Sequence, residues 1–424
     1  MNSMFLKRAV ALGLSCAVAV SLVPMFTGNS EVKADEWVKS KENTKYGLHL
    51  VKNPARPSSS STPWKGNYVY FGKNNGNPIK FRVLDCDSTA YGGNTLFLDS
   101  DMLFDKQKYD EDSSVWADSD LRKYFNGEFI EKNFSAVESK TIFPSTVESH
   151  EYSNDIVPVQ DGILSNYKSY TALDGDKIFP LDYEEVSNPK YGYHKDDGAN
   201  HIKTIINPEP YDENVWWLRS DHKNKNSYPK FVGISNVRGT LINNPCDNDY
   251  FASPALNIDR SKILFSTLIS GKAAEDGAEY KLTLKDDEIK LGLSKTKEVT
   301  FEGNTVTVPY TLSGKNAGNV DQLSLAIESN SWFNLKYYKK LDVTPSANGT
   351  VSFELPEDFK PMRWGISYRI YLIAEDVNGM KETDYAGEPL LIENPGITLD
   401  VRTPFQADQE VPTNLRFLTP CPSA

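Results

Sequence analysis

The sequence predicts an α+β domain over residues 64–270, followed by an all-β sandwich over residues 278–394. Two observations support this order. In the first region, short helix signals with caps interrupt the strand signals, whereas the second region alternates apolar and polar residues with a period of two. Between the two regions, residues 270–277 are mostly small and polar, which is typical of a domain boundary.

Composition limits the classes of partner. The chain has 424 residues, of which 39% are apolar, so it can bury the cores of two or three domains. Its net charge is −12, and it contains no run of five or more basic residues. Because duplex binding needs clustered cations opposite the phosphates, nucleic acid is excluded as the expected partner.

The N-terminus predicts export from the cell. Residues 1–34 are typical of a signal peptide: two basic residues precede an almost wholly apolar stretch over residues 9–26, and Ala34 is the small residue at the cleavage point. An uncleaved membrane anchor is the alternative, against which Pro24 argues. Cleavage removes three basic residues and one acidic residue and changes the net charge from −12 to −14. No later stretch is long and apolar enough to span a membrane, so we expect a secreted chain, either free or associated with the cell surface.

Two further segments lie outside the predicted domains. Residues 35–63 are polar and include the serine run 58–61, which predicts a flexible leader. Residues 395–424 show little pattern and are predicted to be a loose C-terminal tail.

Helix signals in the first domain are short and well capped. Asp118 or Ser119 is placed to cap a helix that Gly127 ends, and the run from Ser135 to Glu138 fits a capping box. Asp182 is placed to cap another short helix. The predicted strands cover residues 65–72, 79–84, 95–99, 177–181, 215–220, 231–234, 239–242 and 255–258.

The connections of this domain predict a binding surface. The stretches 142–176 and 187–213 are long for plain connections, and long loops on a rigid scaffold commonly carry binding residues. In the second region, the strand signals cover residues 305–312, 323–327, 350–355 and 368–376. The last of these leads into an Asn378-Gly379 turn, and this region resembles an immunoglobulin-like or fibronectin-type module.

Several stretches of the first domain resemble a bacterial extracellular family, the domain-of-unknown-function 6273 family. The stretch from Tyr70 to Asp85 is similar to its first two strands, and Trp216-Trp217-Leu218-Arg219-Ser220 is similar to its most specific signature. Ser253-Pro254-Ala255-Leu256 stands where the family usually has Arg-Pro-Ala-Leu, which implies that a buried charge partner is missing here. The resemblance implies a structural role for five residues: Trp116, Leu121, Phe125, Trp216 and Pro254.

The resemblance implies a C-type-lectin-like fold, which that family shares with formylglycine-generating-enzyme-like domains. Oxidases of the formylglycine-generating type use two cysteines near the end of the fold to bind copper, and only Cys246 lies in that region. One thiolate cannot replace two, so a diverged enzyme is kept as an alternative and not as the expectation. Cys86 and Cys246 either form a disulfide or remain separate thiols.

Candidate ligand-binding residues lie in the long loops and in the tryptophan strand. Tyrosines add contact area at little cost in conformational entropy, and an arginine beside a tryptophan can stack on it or pair with an acid. Trp216 and Trp217 are neighbours on a strand and point to opposite faces, so at least one belongs to the core. The alternative for each candidate is a structural role. The candidates are Tyr191, Tyr193, Tyr211, Trp217 and Arg219.

Acidic loop residues offer the hard oxygen ligands that Ca²⁺ takes. Sugar-binding C-type lectins hold Ca²⁺ with a Glu-Pro-Asn or Gln-Pro-Asp loop, and Glu209-Pro210-Tyr211 departs from it at the third residue. The candidate ligands are Asp212, Glu213, Asp247 and Asp249. The alternative is that these acids are solvated and that the protein needs no cofactor.

The function expected from the sequence is noncatalytic recognition of a protein or glycan outside the cell. Hydrolase, zinc-protease and nucleotide-binding motifs do not occur in the sequence. The alternatives are a diverged enzyme and a structural component of the cell envelope.

Overall fold

The structure, a computed structural model, describes residues 38–39, 51–148, 171–194, 198–206, 208–221, 231–329 and 334–396. The predicted signal peptide, residues 1–34, lies outside these ranges, as do Cys421 and residues 397–424 of the predicted tail.

Strands dominate the fold, with 44% of the structure in strands and 14% in helices. The prediction of an α+β lectin-like domain followed by a separate immunoglobulin-like sandwich was therefore wrong. Two physical reasons explain the error. The helices are only four to seven residues long, and several strands with charged or mixed sequences gave no clear alternation. In addition, strands from the two predicted domains pair with each other in one sheet.

The described chain has a first part with strands and short α-helices and a second part made mainly of strands. The first part contains β1 (Val38–Lys39), β2 (Tyr68–Asn74), β3 (Asn77–Ser88), β4 (Thr95–Ser100), β5 (Met102–Lys108), α1 (Asp120–Asn126), α2 (Glu128–Asn133), α3 (Ala136–Thr141), β6 (Ser145–Val147), β7 (Leu173–Asp176), β8 (Ile178–Phe179), α4 (Tyr183–Val186), β9 (Thr204–Ile205), β10 (Trp216–Asp221), β11 (Phe231–Ser235), β12 (Leu241–Pro245), β13 (Asp249–Ala252), β14 (Ala255–Asp259) and β15 (Ile263–Ser270). The second part contains β16 (Glu279–Lys285), β17 (Lys290–Leu293), β18 (Thr300–Glu302), β19 (Thr305–Ser313), β20 (Gln322–Ser329), β21 (Asn334–Lys340), β22 (Asn348–Glu354), β23 (Tyr368–Asp376), β24 (Asp384–Ala386) and β25 (Leu390–Ile392). Short 3-10 helices cover Trp116–Asp118, Pro189–Tyr191, Ala199–His201, Arg260–Lys262, Ala317–Asn319 and Pro361–Arg363.

One large mixed sheet connects both parts of the chain. Its strand order is β1-β21-β20-β23-β24-β16-β2-β3-β4-β14-β8, with β15 on β16 and β25 on β23. Strand β16 lies at the junction, because it pairs in parallel with both β2 and β24. A six-stranded sheet, in the order β12-β11-β10-β13-β5-β9, positions the tryptophan strand β10.

The first large hydrophobic core gives way to the second near residue 285, and a smaller cluster that includes Phe265, Tyr338 and Ile373 draws on both parts of the chain. The first core includes Leu282 and Leu284 of β16, and the second begins with Ile289. The predicted boundary at 270–277 instead lies between β15 and β16, which form an antiparallel pair. The second core lies between a four-stranded sheet (β17, β18, β19 and β22) and the β20–β23 end of the large sheet.

The predicted helix caps are confirmed. The Ser119 hydroxyl accepts a backbone N–H bond at the start of α1. Reciprocal capping boxes form between Ser135 and Glu138 at α3, and between Asp182 and Glu185 at α4. These caps bond to N–H groups that have no partner within a helix, so even very short helices begin at a defined residue.

The loop before β24 docks on helix α3. The Thr383 hydroxyl donates to Glu138 Oε1 at 2.7 Å, and the hydroxyls of Ser135 and Tyr385 are 2.9 Å apart. Lys281 forms an ion pair with Asp384 at 2.7 Å, which joins β16 to β24. Side-chain bonds therefore reinforce the shared sheet at the junction.

Part of the predicted flexible leader packs on the first core. Val51 is buried, the backbone N–H of Ala199 donates to the Ser60 carbonyl at 2.8 Å, and the Asn53 side chain accepts from the backbone N–H of Cys86. Residues 51–63 are thus tied to the domain, contrary to the expectation from their polar composition. Among the described residues, no helix combines the length and apolar character needed to cross a membrane.

Candidate binding site

Tyr211 is the most exposed large hydrophobic side chain among the described residues. It lies in a tight turn, residues 209–212, that we name the Tyr211 turn, and 98% of its surface is accessible to solvent. Its backbone is in the left-handed region, with φ of +79°. Asn75 and Ala274 are the other non-glycine residues with positive φ in the described ranges. For a bulky residue this conformation is strained, and such strain is common at functional sites.

Asp212 holds the Tyr211 turn in place. Its Oδ1 accepts from Lys106 Nζ at 2.6 Å, and its Oδ2 accepts from the backbone N–H of Glu209 at 2.8 Å. The hydrogen bond from Lys106, followed by the bond from Glu209, lowers the pKa of Asp212. The turn is therefore closed on itself and attached to strand β5, which carries Lys106.

The base of the same excursion is closed by Lys203 and Asn214. The Asn214 side chain donates to the Lys203 carbonyl and accepts from the Lys203 backbone N–H. Just after Lys203, strand β9 pairs in parallel with β5, with Thr204 opposite Met102. The segment thus leaves and rejoins the sheet at fixed points, and Tyr211 lies near its tip.

Arg219 is buried and has no surface to offer a ligand. Its guanidinium binds both oxygens of Glu185, at 2.6 and 2.9 Å, and Oδ2 of Asp182 at 3.1 Å. The backbone carbonyls of Thr171 and Pro180 accept its remaining N–H groups. Burial lowers the pKa of Arg219, but the carboxylates of Glu185 and Asp182 outweigh burial and raise it.

The Glu185 carboxyl connects this ion pair to the rest of the core. Burial raises the pKa of Glu185, whereas Arg219 lowers it, and the net direction is upward. The Tyr91 hydroxyl donates to the same carboxyl. Because Asp182 and Glu185 also form the capping box of α4, Arg219 on β10 fixes the position of that helix.

Trp216 and Trp217 are both completely buried, one on each face of β10. Trp217 donates its indole N–H to the Gln107 carbonyl at 2.7 Å and contacts the rings of Tyr109 and Tyr250 edge-on. The tryptophan strand therefore has a core on both sides.

Strand β10, with its two buried tryptophans and the buried Arg219, lies within the part of the chain that matches a family model. Residues 92–260 match the domain of unknown function DUF6273. No curated protein matches the chain. The match begins after β3, so the stretch from Tyr70 to Asp85 lies outside it.

The five signature residues expected from the resemblance lie inside the DUF6273 region and are all buried. They are Trp116, Leu121, Phe125, Trp216 and Pro254. Their burial fits the structural role that the resemblance implied.

Lys203 supplies a cation beside Ser253 in the DUF6273 region. Its Nζ donates to Ser253 Oγ at 2.6 Å and to both oxygens of Asp99, and it lies 4.2 Å from the ring centre of Trp216. The charge partner that seemed to be missing at position 253 is thus provided from another part of the chain.

The other two predicted tyrosines pack against the hydrophobic core and are not fully exposed at the surface. Tyr193 is buried, stacks on His201, and donates its hydroxyl to Asp99. Tyr191 is half-buried and packs edge-on against Phe97. Of the five predicted ligand-binding residues, Tyr211 therefore presents its whole side chain to solvent, and the structure does not bring the five together.

The predicted metal ligands lie at two separate connections of the six-stranded sheet, one between β9 and β10 and the other between β12 and β13. Asp212 pairs with Lys106, and Glu213 beside it is exposed. Asp247 and Asp249 are exposed at the connection between β12 and β13. Within the described ranges, no group of three or more His, Cys, Asp or Glu side chains is arranged to hold a metal ion.

Cys86 and Cys246 are separate thiols. Burial raises the pKa of both, to about 11 for Cys246. Cys86 lines a cavity of about 30 Å³ together with Leu96 and Arg260. That volume has room for about one water molecule.

Lys106 and Lys203 were missed by the sequence analysis. Lys106 lies on β5, where the mixed sequence Met102–Lys108 shows no clear alternation. Lys203 lies in the stretch 187–213, which was interpreted as a long loop, where a lysine carries no signal of its partner. The replacement of the arginine usual at position 253 by Ser253 was the hint that a cation from elsewhere takes its place.

Proposed function

We propose that the protein is a noncatalytic recognition module that acts outside the cell and contacts a protein or glycan through the Tyr211 turn. One observation carries the proposal: a fully exposed aromatic side chain is held in a strained backbone conformation by bonds to a rigid sheet. Without a role in contact, a glycine or a polar residue would serve such a turn better.

The chemistry of tyrosine suits this role. Its ring adds a large contact area with two side-chain torsions, and its hydroxyl both donates and accepts hydrogen bonds. Because the turn is held by Lys106 and Asp212, little further ordering is required on binding, which favours affinity. The exposed carboxylate of Glu213 next to the turn leaves polar groups at the rim.

The location is part of the proposal. The basic start, apolar stretch and small-residue exit of residues 1–34 support export. A negative net charge disfavours anionic surfaces and supports a protein or a neutral or cationic glycan as ligand. The second core is joined to the first through the shared sheet, so it would support the binding surface at a fixed geometry.

A binding screen tests the proposal. Purified wild-type protein is applied to a glycan array and used to capture envelope and extracellular proteins, in Ca²⁺ and in a chelator. We expect at least one ligand class to be retained, and Tyr211→Ala to lose it while Met362→Ala retains it. Met362 is a matched control because it is 84% exposed and lies in the second part of the chain. Loss of signal in the chelator alone would support the calcium expectation, and silence in both conditions would contradict the proposal.

A further inference from the structure

Lys203 and Asp99 form an ion pair with no access to solvent. Lys203 Nζ lies 2.7 Å from Asp99 Oδ1 and 2.6 Å from Oδ2, and neither side chain has exposed surface. Burial of two charges costs free energy that their mutual attraction only partly offsets. By comparison, the Lys281–Asp384 pair has a closest distance of 2.7 Å, and its side chains retain 8% and 7% exposure.

Both members of this ion pair are in contact with a group that can accept or donate a proton. The third N–H of Lys203 points to Ser253 Oγ at 2.6 Å. The hydroxyl of Tyr193 donates to Asp99 Oδ2, the oxygen closest to Lys203 Nζ. A proton acceptor therefore contacts the amine, and a proton donor contacts the carboxyl oxygen.

The backbone on both sides holds the two groups together. Asp99 lies on β4, between β3 and β14 in the large sheet. Arg82 on β3 donates to the carbonyls of Asn200 and Ile202, each at 2.6 Å, and so fixes the segment that leads to Lys203. Preorganisation of this kind gives two reacting groups a very high effective concentration.

Burial also favours the neutral amine. It lowers the pKa of Lys203 to about 8, although Asp99 acts in the opposite direction. Arg82 lowers the pKa further, and Asp101 raises it. A lysine amine becomes a nucleophile when it loses its proton, so the reactive form is accessible near neutral pH.

We propose that Lys203 and Asp99 are a modification site at which the folded chain forms an amide bond between its own side chains. A proton passes from Lys203 Nζ to Oδ2 of Asp99, and the amine then attacks Cγ of the carboxylic acid. The bond from Cγ to Oδ2 breaks, with Tyr193 donating a proton to Oδ2 and recovering one from Nζ. One ammonium and one carboxylate become one secondary amide and one water, so atoms and charge balance without a further reactant.

The bond has a mechanical consequence. It would join β4 covalently to the base of the excursion that carries the Tyr211 turn, where Asn214 already bonds to the Lys203 backbone. It would also replace a buried ion pair with a neutral amide, which removes the cost of keeping two charges away from water. The inference does not depend on the proposed binding function.

Mass spectrometry of the wild-type protein tests the site directly. We expect the measured mass of the intact chain to be lower, by the mass of one water molecule, than the mass calculated from its sequence. Proteolysis is expected to release a branched peptide that joins the fragment containing Lys203 to the fragment containing Asp99. Linear peptides with an unmodified Lys203 would overturn the proposal, and so would water loss located elsewhere, for example at Lys281 and Asp384.

Two variants separate the chemistry from the fold. Lys203→Arg keeps the positive charge but cannot form this amide, so its mass should equal that of its sequence; persistent water loss would overturn the proposal. Tyr193→Phe keeps the ring and removes the proton donor. We expect the rate at which the branched peptide forms to fall by at least about tenfold. An unchanged rate would overturn the role of Tyr193. If either variant fails to fold, the peptide map of the wild-type protein decides.

Discussion

Asp212 accepts a hydrogen bond from Lys106 at 2.6 Å, and this contact attaches the turn that presents Tyr211 to strand β5. The other carboxylate oxygen of Asp212 accepts from the backbone N–H of Glu209 and so closes the turn. The exposed ring is thus not at the end of a loose loop. Its position is set by the same sheet that buries Trp216 and Trp217.

Backbone strain at Tyr211 predicts a difference between two substitutions. Tyr211→Ala removes the ring but keeps a side chain at a φ of +79°, whereas Tyr211→Gly removes both. Because only glycine adopts this region without steric cost, we expect the glycine variant to be more stable than the alanine variant by about 1 kcal/mol. Urea denaturation measures the difference. Equal stability of the two variants would show that the turn is not strained.

We expect substitution of Arg219 to lower the stability of the fold more than substitution of any other residue of β10. Arg219→Met leaves the carboxylates of Glu185 and Asp182 buried without their cation, which should lower the free energy of unfolding by about 3 to 5 kcal/mol. Lys272→Met serves as the control, because Lys272 forms an exposed ion pair with Glu275. Chemical denaturation measures both variants. A similar, small loss for both would contradict a structural role for Arg219.

The junction between the two cores depends on a hydroxyl. Thr383→Val keeps the shape of the side chain but removes the bond to Glu138 Oε1 in a buried site. We expect a loss of about 1 to 2 kcal/mol in the free energy of unfolding. Thr307→Val is the matched control, since the bond from Thr307 to Ser352 is at the surface. Equal effects of the two substitutions would mean that the contact at the junction adds nothing to stability.

The raised pKa of Asp384 predicts how the stability of the protein depends on pH. Burial raises its pKa from 3.8 to about 6, with Lys281 acting in the opposite direction and Glu375 in the same one. Because the folded state then holds a proton more tightly than the unfolded state, the contribution of Asp384 to stability increases as the pH falls through about 6 and is lost as the pH rises through it.

The comparison with Asp384→Asn isolates this effect from other carboxyls. Between pH 7.5 and pH 5, the stability of the wild-type protein should increase relative to that of the variant by about 1 kcal/mol. Urea denaturation at both pH values gives the difference. A constant difference between the two proteins would show that the pKa of Asp384 is not raised.

Local signals predicted local structure well. The caps at Ser119, at Ser135 with Glu138, and at Asp182 with Glu185 depend on residues three positions apart, and all three are confirmed. The strands around Trp216 were recognised for a similar reason, because a buried apolar run is visible within a few residues.

Long-range pairing could not be predicted from the same signals. Strand β16 pairs with β2 about two hundred residues earlier and with β24 about a hundred residues later, and periodicity does not identify a strand's partner. The boundary was therefore placed before β16, and two separate domains were expected where one sheet continues.

The candidate site shows the same limit. Tyr193 and Tyr211 were indistinguishable as loop tyrosines, yet Tyr193 is buried against Asp99 and Tyr211 is in solvent. What separates them is a charged partner far away in the sequence. The left-handed backbone of Tyr211 was equally invisible, because its sequence contains no glycine at that position.

The most direct measurement of the central claim compares the ligand signal of wild-type protein, Tyr211→Phe and Tyr211→Ala on the same glycan array and capture assay. Contact through the ring predicts that Tyr211→Phe retains much of the signal and that Tyr211→Ala loses at least about tenfold in affinity, with folding unchanged by circular dichroism. Equal binding by wild-type protein and Tyr211→Ala would contradict recognition through this turn.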